Sequence, residues 1–253
     1  MFKYGLKLWS TNMNFIAEAK KLFDKGVYNY IELFVVPDSY DQYIERWKKL
    51  PLPYVIHAPH FREGMNLSRK EKEQNNLILM KETQLYADRL KANKIIVHPG
   101  IDGTIQETAR QLKMINDSRL LVENKPYHAL DDNLICNGTT PAEIKYVMTT
   151  SRVGFCLDIG HAVCSANAHQ QEVKYFMYEF LCLKPAMFHL SDGDHNGVED
   201  KHTHIGQGTY SFREILAALP EEALITVETV KDSKNNLNDY SDDVAKIKAY
   251  EHN

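Results

Sequence analysis

The chain has 253 residues, of which 43% are hydrophobic and 25% are charged, as in an ordinary globular protein with a sizeable core. The formal net charge of −4 gives no general attraction to nucleic acid or to an anionic membrane, although it does not exclude a local basic patch. No apolar run has the roughly 20 residues that span a bilayer, and residues 1–12 lack the apolar segment of a signal peptide. We therefore expect a cytoplasmic protein with no membrane partner.

The four cysteines, Cys136, Cys156, Cys164 and Cys182, show no C-x-x-C spacing. Cys156 and Cys182 lie inside apolar runs, where a free thiol behaves as a small hydrophobic group. This usage favours reduced thiols over a disulfide scaffold. The sequence does not specify an oligomeric state.

Short runs rich in Val, Ile, Leu, Phe and Tyr recur along the chain. They do not alternate cleanly with polar residues, which is typical of parallel strands buried on both faces. The predicted strands are Tyr4–Trp9, Tyr30–Val35, Tyr54–His57, Lys94–His98, Leu120–Glu123, Val153–Asp158, Ala186–Leu190 and Leu224–Glu228.

A helical pattern follows each of these runs. Ser68 and Glu71 predict a capping box at the start of a helix that reaches about Leu90, and Thr140 with Glu143 predicts a second one, with Pro141 at the first helical position. The other predicted helices are Asn14–Lys25, Tyr40–Lys49, Thr104–Asn116, Gln170–Leu181, Phe212–Leu219 and Asp239–Tyr250. Strands that alternate with helices predict a parallel sheet, and eight such units predict closure into a single-domain (β/α)₈ barrel over residues 1–253.

Barrel enzymes carry their chemistry at the carboxyl ends of the strands. Six successive predicted strands carry a group that can bind a metal at their carboxyl end, namely His57, His98, Glu123, Asp158, His189 (one residue before the end of its strand) and Glu228. Any one of these residues is more often an ordinary polar residue than a ligand. All six together arise by chance in about one case in a hundred, even with about three positions of error at each strand end.

The loops after the strands add further candidates. His161 follows Asp158 by three residues, so that a turn leaving the strand would bring both toward one centre. Asp200 and His202 form an i, i+2 pair, which points both side chains to one side if the loop is extended. Gly206 and Gly208 suit a tight return to the next helix. Mixed imidazole and carboxylate ligands favour Zn²⁺ or Mn²⁺ over Mg²⁺ or Ca²⁺.

The motifs IHAPH, VHPG, VEN, CLDIGHA, FHLSDGD, DKHTHIGQG and VET occur in this order. Through these motifs and their order, nearly the whole chain resembles the xylose isomerase-like barrel superfamily, which includes endonuclease IV and the sugar isomerases and epimerases. The resemblance to endonuclease IV implies up to three zinc ions on nine residues: His57, His98, Glu123, Asp158, His161, His189, Asp200, His202 and Glu228.

In that resemblance, one metal lies between His57, His98 and Glu123, and another between His161, Asp200 and His202. The central metal is held by Glu123, Asp158, His189 and Glu228. The sugar isomerases and epimerases need only this central site, where Glu123 and Glu228 would also act as acid and base and His161 would stabilise charge on a substrate oxygen.

Two functions are therefore open, and they share the metal centre. The sequence at the second strand and after it, LFVVPDSY, lacks the Arg- and Trp-bearing loop with which endonuclease IV contacts DNA. The negative net charge also disfavours a DNA partner without excluding it. We expect a metal-dependent isomerase or epimerase with a small-molecule partner, a sugar or sugar phosphate. The alternative is a trinuclear zinc phosphoesterase acting at abasic DNA, and a metal-bound barrel that only binds sugar is a third reading.

Some further residues are weaker candidates. Lys125 would hold a phosphate or a carbonyl oxygen, or else be a solvated loop lysine, and Arg62 is a second phosphate candidate. Trp9 would line the substrate pocket, although an aromatic residue of this kind is more often core. We expect His60, His195 and His204 to be polar loop residues, of which His204 is the one most easily confused with His202.

Overall fold

Eight parallel strands form the centre of the molecule. The structure, a computed structural model, describes residues 1–129 and 134–251. The strands pair in chain order and β1 pairs with β8, so that the sheet closes on itself and confirms the predicted barrel. They are β1 (Lys3–Trp9), β2 (Tyr30–Phe34), β3 (Tyr54–His57), β4 (Ile95–Val97), β5 (Leu120–Glu123), β6 (Gly154–Asp158), β7 (Met187–Leu190) and β8 (Leu224–Val227).

Helices alternate with these strands along the chain. They are α1 (Ile16–Asp24), α2 (Tyr40–Lys48), α3 (Glu73–Leu90), α4 (Ile105–Ile115), α5 (Pro141–Ser151), α6 (Ile159–Ala168), α7 (Val173–Leu181), α8 (Phe212–Ala218) and α9 (Asn238–Glu251). The apolar side chains of the helices and the outward-facing strand residues form the larger part of the core. Within the described residues, no helix combines the length and the apolar character needed to cross a membrane.

A second, smaller apolar cluster fills the inside of the barrel. It consists of Tyr30, Val55, Ile96, Leu121, Cys156 and Met187, which are all buried. Since side chains alternate between the two faces of a strand, the residues two positions further along each strand face the same interior. Those residues are Glu32, His57, His98, Glu123, Asp158 and His189. The apolar layer thus lies directly beneath a layer of ionisable groups, which occupies the carboxyl end of the barrel interior.

Three local predictions were wrong. Ser68 does not cap a helix: a short 3₁₀ segment at Lys70–Lys72 leads into α3, and the buried Ser68 hydroxyl donates to the Ile101 carbonyl at 3.0 Å. The turn expected after Asp158 is the first turn of helix α6 and does bring His161 Nδ1 to 3.5 Å from Asp158 Oδ2, but α6 itself was not predicted. The helix predicted from Gln170 begins at Val173. Cys182 is exposed, whereas the other cysteines are buried; all four are free thiols, as expected.

The capping box at Thr140 is confirmed. The Thr140 hydroxyl accepts from the Glu143 amide at 3.2 Å, and the Glu143 carboxylate accepts from the Thr140 amide at 3.2 Å. Pro141 occupies the first turn. This cap fixes the start of α5, the helix that follows the strand carrying Glu123.

Replacing Thr140 with Ala should lower the free energy of unfolding by about 1 kcal/mol, because the first turn of α5 loses its side-chain acceptor. Urea denaturation followed by circular dichroism measures this change. The control is Thr149→Ala in the same helix, whose hydroxyl bonds back to the Lys145 and Tyr146 carbonyls of its own helix and which should cost less than about 0.5 kcal/mol. Equal losses in the two variants would contradict the capping role.

Candidate metal centre

The strand ends bring the predicted ligands to one end of the barrel. His57, Glu123 and Asp158 are the last residues of their strands, whereas His98 and Glu228 directly follow β4 and β8. His189 lies inside β7, one residue before its end. Because all strands are parallel, their carboxyl ends meet around a single opening, and the six groups converge there.

The first cluster consists of His57, His98 and Glu123. The Nε2 atoms of His57 and His98 lie 3.3 and 3.2 Å from the same Glu123 oxygen, Oε2. The Nδ1 of His57 is 2.7 Å from the Ala58 carbonyl, so its N–H donates to the backbone. Nε2 therefore faces the carboxylate and is the nitrogen that a metal would use. The geometry agrees with the ligand triad that the resemblance implies.

The second cluster surrounds His189. Its Nδ1 lies 2.9 Å from Glu228 Oε1, 3.4 Å from Glu123 Oε2 and 3.8 Å from Asp158 Oδ2. This nitrogen is buried, and apart from these ion-pair contacts it has no hydrogen-bond partner among residues 1–129 and 134–251. The other nitrogen, Nε2, lies 2.9 Å from Glu32 Oε2. The imidazole is thus held from behind by one carboxylate and presents its free nitrogen to three others.

The third cluster consists of His161, Asp200 and His202. The Nε2 atoms of the two histidines lie 3.1 and 2.7 Å from Asp200 Oδ2. His161 stands in the first turn of α6, where its amide donates to Asp158 Oδ1 at 2.7 Å. His202 has a left-handed backbone with φ of 47°, so the extended loop expected at this position is wrong although the two side chains do meet.

One carboxylate organises the loop that carries Asp200 and His202. Asp192, just after β7, accepts from the amides of Gly193, Gly206, Gly208 and Tyr210 at 2.8 to 3.3 Å. Gly206 has a φ of 83°, which suits the tight return that the sequence predicts. The backbone between β7 and α8 is therefore fixed by many hydrogen bonds, and Asp200 with His202 is held on that frame.

The charges of the site call for cations. Burial raises the pKa of the Asp158 carboxyl, and the neighbouring Asp200 and Glu123 carboxylates raise it further against the opposing effect of His161. The pKa of Glu123 is held well below its usual range despite burial, chiefly by His98 and Lys125. Carboxylates gathered in a buried site are stable only when positive charge compensates them.

The donor set fits a divalent metal. In His57, His161 and His202 the Nδ1 atom lies 2.7 to 2.9 Å from a backbone carbonyl, and in His189 the rear nitrogen faces Glu32. This is the usual arrangement of a metal-binding histidine, whose second nitrogen is fixed by a hydrogen bond. The described residues thus include groups that could hold a metal at the first and third clusters and, through Glu32, His189 and Glu228, at the second.

A cavity of about 310 Å³ opens above these clusters. Lys125, Arg62 and Trp9, the predicted substrate-binding residues, all line it. Lys125 is only 14% exposed and its Nζ lies 3.3 Å from His161 Nε2 and 3.5 Å from Glu123 Oε1, so it is not a solvated loop lysine. Trp9 is 41% exposed and is not a core residue.

The three histidines expected to be polar loop residues, His60, His195 and His204, lie in different surroundings. His204 is buried and belongs to none of the three clusters, because its Nδ1 lies 2.7 Å from Asp243 Oδ2. His60 lines the cavity, where its ring accepts from the Arg62 amide. His195 is an exposed loop residue, as expected.

Sequence reasoning missed three residues of the centre: Lys7, Glu32 and Asn124. Lys7 and Glu32 interrupt apolar strand runs. Glu32 lies two positions after Tyr30 of the apolar layer, and Lys7 stands opposite Glu32 in the register of β1 and β2, so both face the inside of the barrel. Asn124 joins two strand ends: its side chain donates to the Asp158 carbonyl at 2.9 Å and accepts from the Asp158 amide at 2.8 Å.

The fold and site together define a (β/α)₈ barrel that gathers imidazole and carboxylate groups at its strand ends. A family model described as xylose isomerase-like TIM barrel matches residues 19–250, and the chain belongs to this family.

Similar proteins are known from both branches of the family. A curated relative, the probable endonuclease 4 of Carboxydothermus hydrogenoformans, is 24% identical over 213 residues, which cover 76% of this chain and 69% of that protein. The crystal structure of a D-tagatose 3-epimerase-like protein matches with a TM-score of 0.75 and 18% identity, covering 99% of this chain and 97% of that one. Endonuclease IV from Thermus thermophilus matches with a TM-score of 0.69 and 20% identity over 99% of both chains.

Adding Zn²⁺ or Mn²⁺ to chelator-treated protein should raise its thermal midpoint, because the cation would compensate carboxylates that the folded state buries. At a hundredfold excess over the dissociation constant the gain is about 2.7 kcal/mol for one site. His189→Asn should lose part of this gain, whereas His195→Asn, in an exposed loop, should keep it. Differential scanning calorimetry measures the shift, and an unchanged midpoint in the wild-type protein would contradict the metal centre.

Proposed function

We propose that the protein is a divalent-metal-dependent isomerase or epimerase of a sugar or sugar phosphate. The observation that carries this proposal is that Glu123 and Glu228 approach the free nitrogen of His189 from two different strands, at the floor of a cavity of small-molecule size. β6 and β7 lie between the two strands that carry these carboxylates. A pair of this kind suits proton removal on one face of a carbon and return on the other.

Glu123, Asp158, His189 and Glu228 would hold the central metal. When bound, a divalent metal would polarise the substrate carbonyl and the adjacent hydroxyl, and so lower the pKa of the carbon acid between them. One of Glu123 and Glu228 would remove the proton and the other would return it. His161 would stabilise negative charge on a substrate oxygen.

The cavity walls would position the substrate. Lys125 and Arg62 supply positive charge for a phosphate or a polarised oxygen, and both line the same cavity. Trp9 and Phe34, whose ring centroids lie 6.1 Å apart, supply an apolar wall. Binding sites for small molecules commonly combine an apolar wall with a few placed polar groups.

The surface around the cavity favours a small substrate over a duplex. The connection between β2 and α2 spans only residues 35–39, at the place where a longer loop would be needed to enter DNA. The net charge of −4 also disfavours a polyanion.

A zinc phosphoesterase of the endonuclease IV type is the second candidate. It is favoured by the third cluster, because His161, Asp200 and His202 meet at 2.7 to 3.1 Å although a sugar isomerase does not need them. Its chemistry would use the same Glu123 as a ligand shared between metals, so variants at Glu123 do not separate the two functions.

Glu123→Gln should abolish turnover and lower the metal content under either function. The amide removes a negative charge that the cations need, and under the proposed function it also removes the acid–base group, which is worth about 10²- to 10⁴-fold in rate. Proton exchange between a panel of aldoses and ketoses and D₂O, read by NMR, measures the rate, and plasma mass spectrometry counts the metal. Glu179→Gln, on the exposed face of α7, is the control. A fully metallated and active Glu123→Gln protein would show that the site is wrongly assigned.

His202→Ala separates the two enzyme classes. Under the proposed function the central site survives, and exchange of the sugar proton should continue at a reduced rate that exceeds the rate of Glu123→Gln. Under phosphoesterase chemistry the variant should lose one metal equivalent together with most of the cleavage of an abasic-site duplex. Both activities and the metal content are measured beside His195→Ala. Duplex cleavage by the wild-type protein that disappears in His202→Ala would overturn the sugar proposal.

A further inference from the structure

A lysine lies inside the barrel beside the central cluster. Lys7 belongs to β1, and its ammonium group contacts Glu228 Oε1 and lies 3.1 Å from Glu32 Oε1. The side chain is only 12% exposed. Lys7 is therefore a fixed positive charge within the layer of ionisable groups, and neither proposed function gives it a role.

The oxygen that Lys7 contacts is the one that faces the other ligands. Glu228 Oε1 is also the atom that lies 2.9 Å from the free Nδ1 of His189. A metal held by His189 and Glu228 would need this lone pair and would stand close to the ammonium group. At a separation of a few ångströms in a buried site, a monovalent and a divalent cation repel each other strongly.

We propose that Lys7 is a built-in competitor of the central metal: its ammonium group pairs with the Glu228 oxygen that this metal would need, and the central position is therefore the one of the three that binds metal most weakly. This inference rests on the proposed metal centre, although it does not depend on which reaction the centre supports. It also predicts the order of filling, with the central equivalent bound last and exchanged most easily.

Glu32 makes the exchange possible without leaving a charge unpaired. Its Oε2 accepts from Thr226 Oγ1 at 2.6 Å and lies 2.9 Å from His189 Nε2, while its Oε1 faces Lys7. When Glu228 turns to a metal, Lys7 keeps Glu32 as its partner. Glu32 is completely buried, and its negative charge is compensated by the Lys7 ammonium group inside the barrel.

The test is a metal titration of chelator-treated protein with Mn²⁺, in which electron paramagnetic resonance counts the free ion. Lys7→Met should tighten the last-filled equivalent by about tenfold or more, since the competing charge is gone and the Glu228 oxygen is free. Lys7→Arg retains the charge and should resemble the wild type. In Lys7→Met/Asp158→Asn the gain should disappear, which assigns it to the central position.

A second variant separates competition from a mere loss of stability. Lys7→Met alone leaves Glu32 with one partner fewer, and this could weaken the metal-free fold. Lys7→Met/Glu32→Gln removes both charges of the pair and is compared with Glu32→Gln alone, because Glu32 also holds the rear nitrogen of His189. The tenfold gain should persist between these two variants, since only the competitor matters for Glu228. A gain that vanishes in this double variant, or an affinity in Lys7→Met equal to or below the wild-type value, would overturn the inference.

The failure of the metal centre would look different. If neither the wild type nor any variant binds Mn²⁺ or Zn²⁺, the competition and the proposed function fall together. If the wild type binds metal with the same affinities as Lys7→Met, only the role of Lys7 is lost.

Discussion

Buried negative charge at one end of the barrel is the constraint on which the rest of the site depends. The carboxylates concerned are those of Glu32, Glu123, Asp158, Asp200 and Glu228. Removing such groups from water costs several kcal/mol each unless cations or hydrogen bonds compensate them. The lysines and imidazoles that surround them are therefore as much a part of the structural stability of this end as of its chemistry. The apolar layer below contributes no compensating charge, so the balance has to be reached within the layer itself and from the cavity.

The backbone does much of the work of orienting the imidazoles. Carbonyls of Ala58, Asn124 and Glu228 receive the rear nitrogens of three histidines, and each of these carbonyls lies at or next to a strand end. Since the strands are fixed by the closed sheet, the rings are fixed too. A centre built in this way is preorganised by the barrel before any ligand arrives.

The barrel and most of the centre could be predicted because both follow from short-range patterns. Apolar runs marked the strands, and strand ends marked His57, His98, Glu123, Asp158 and His189. The extra helix α6 could not be predicted in the same way, since residues 159–166 are all buried and leave no polar face to mark the helix, and its start depends on Asp158 accepting from a backbone amide. The Ser68 motif was misleading because the hydroxyl finds a tertiary partner, the Ile101 carbonyl, which no local pattern reveals.

The loop anchored by Asp192 differs from the strand ends in how easily its sequence can change without disturbing the barrel. The first and central clusters are built from the strands or their immediate ends, so altering them disturbs the closed sheet. Asp200 and His202 instead come from a single connection between β7 and α8, whose frame is set by amide bonds to one carboxylate. A lineage could thus gain or discard the third cluster by remodelling one loop, and the family could diverge in chemistry while the barrel stays unchanged.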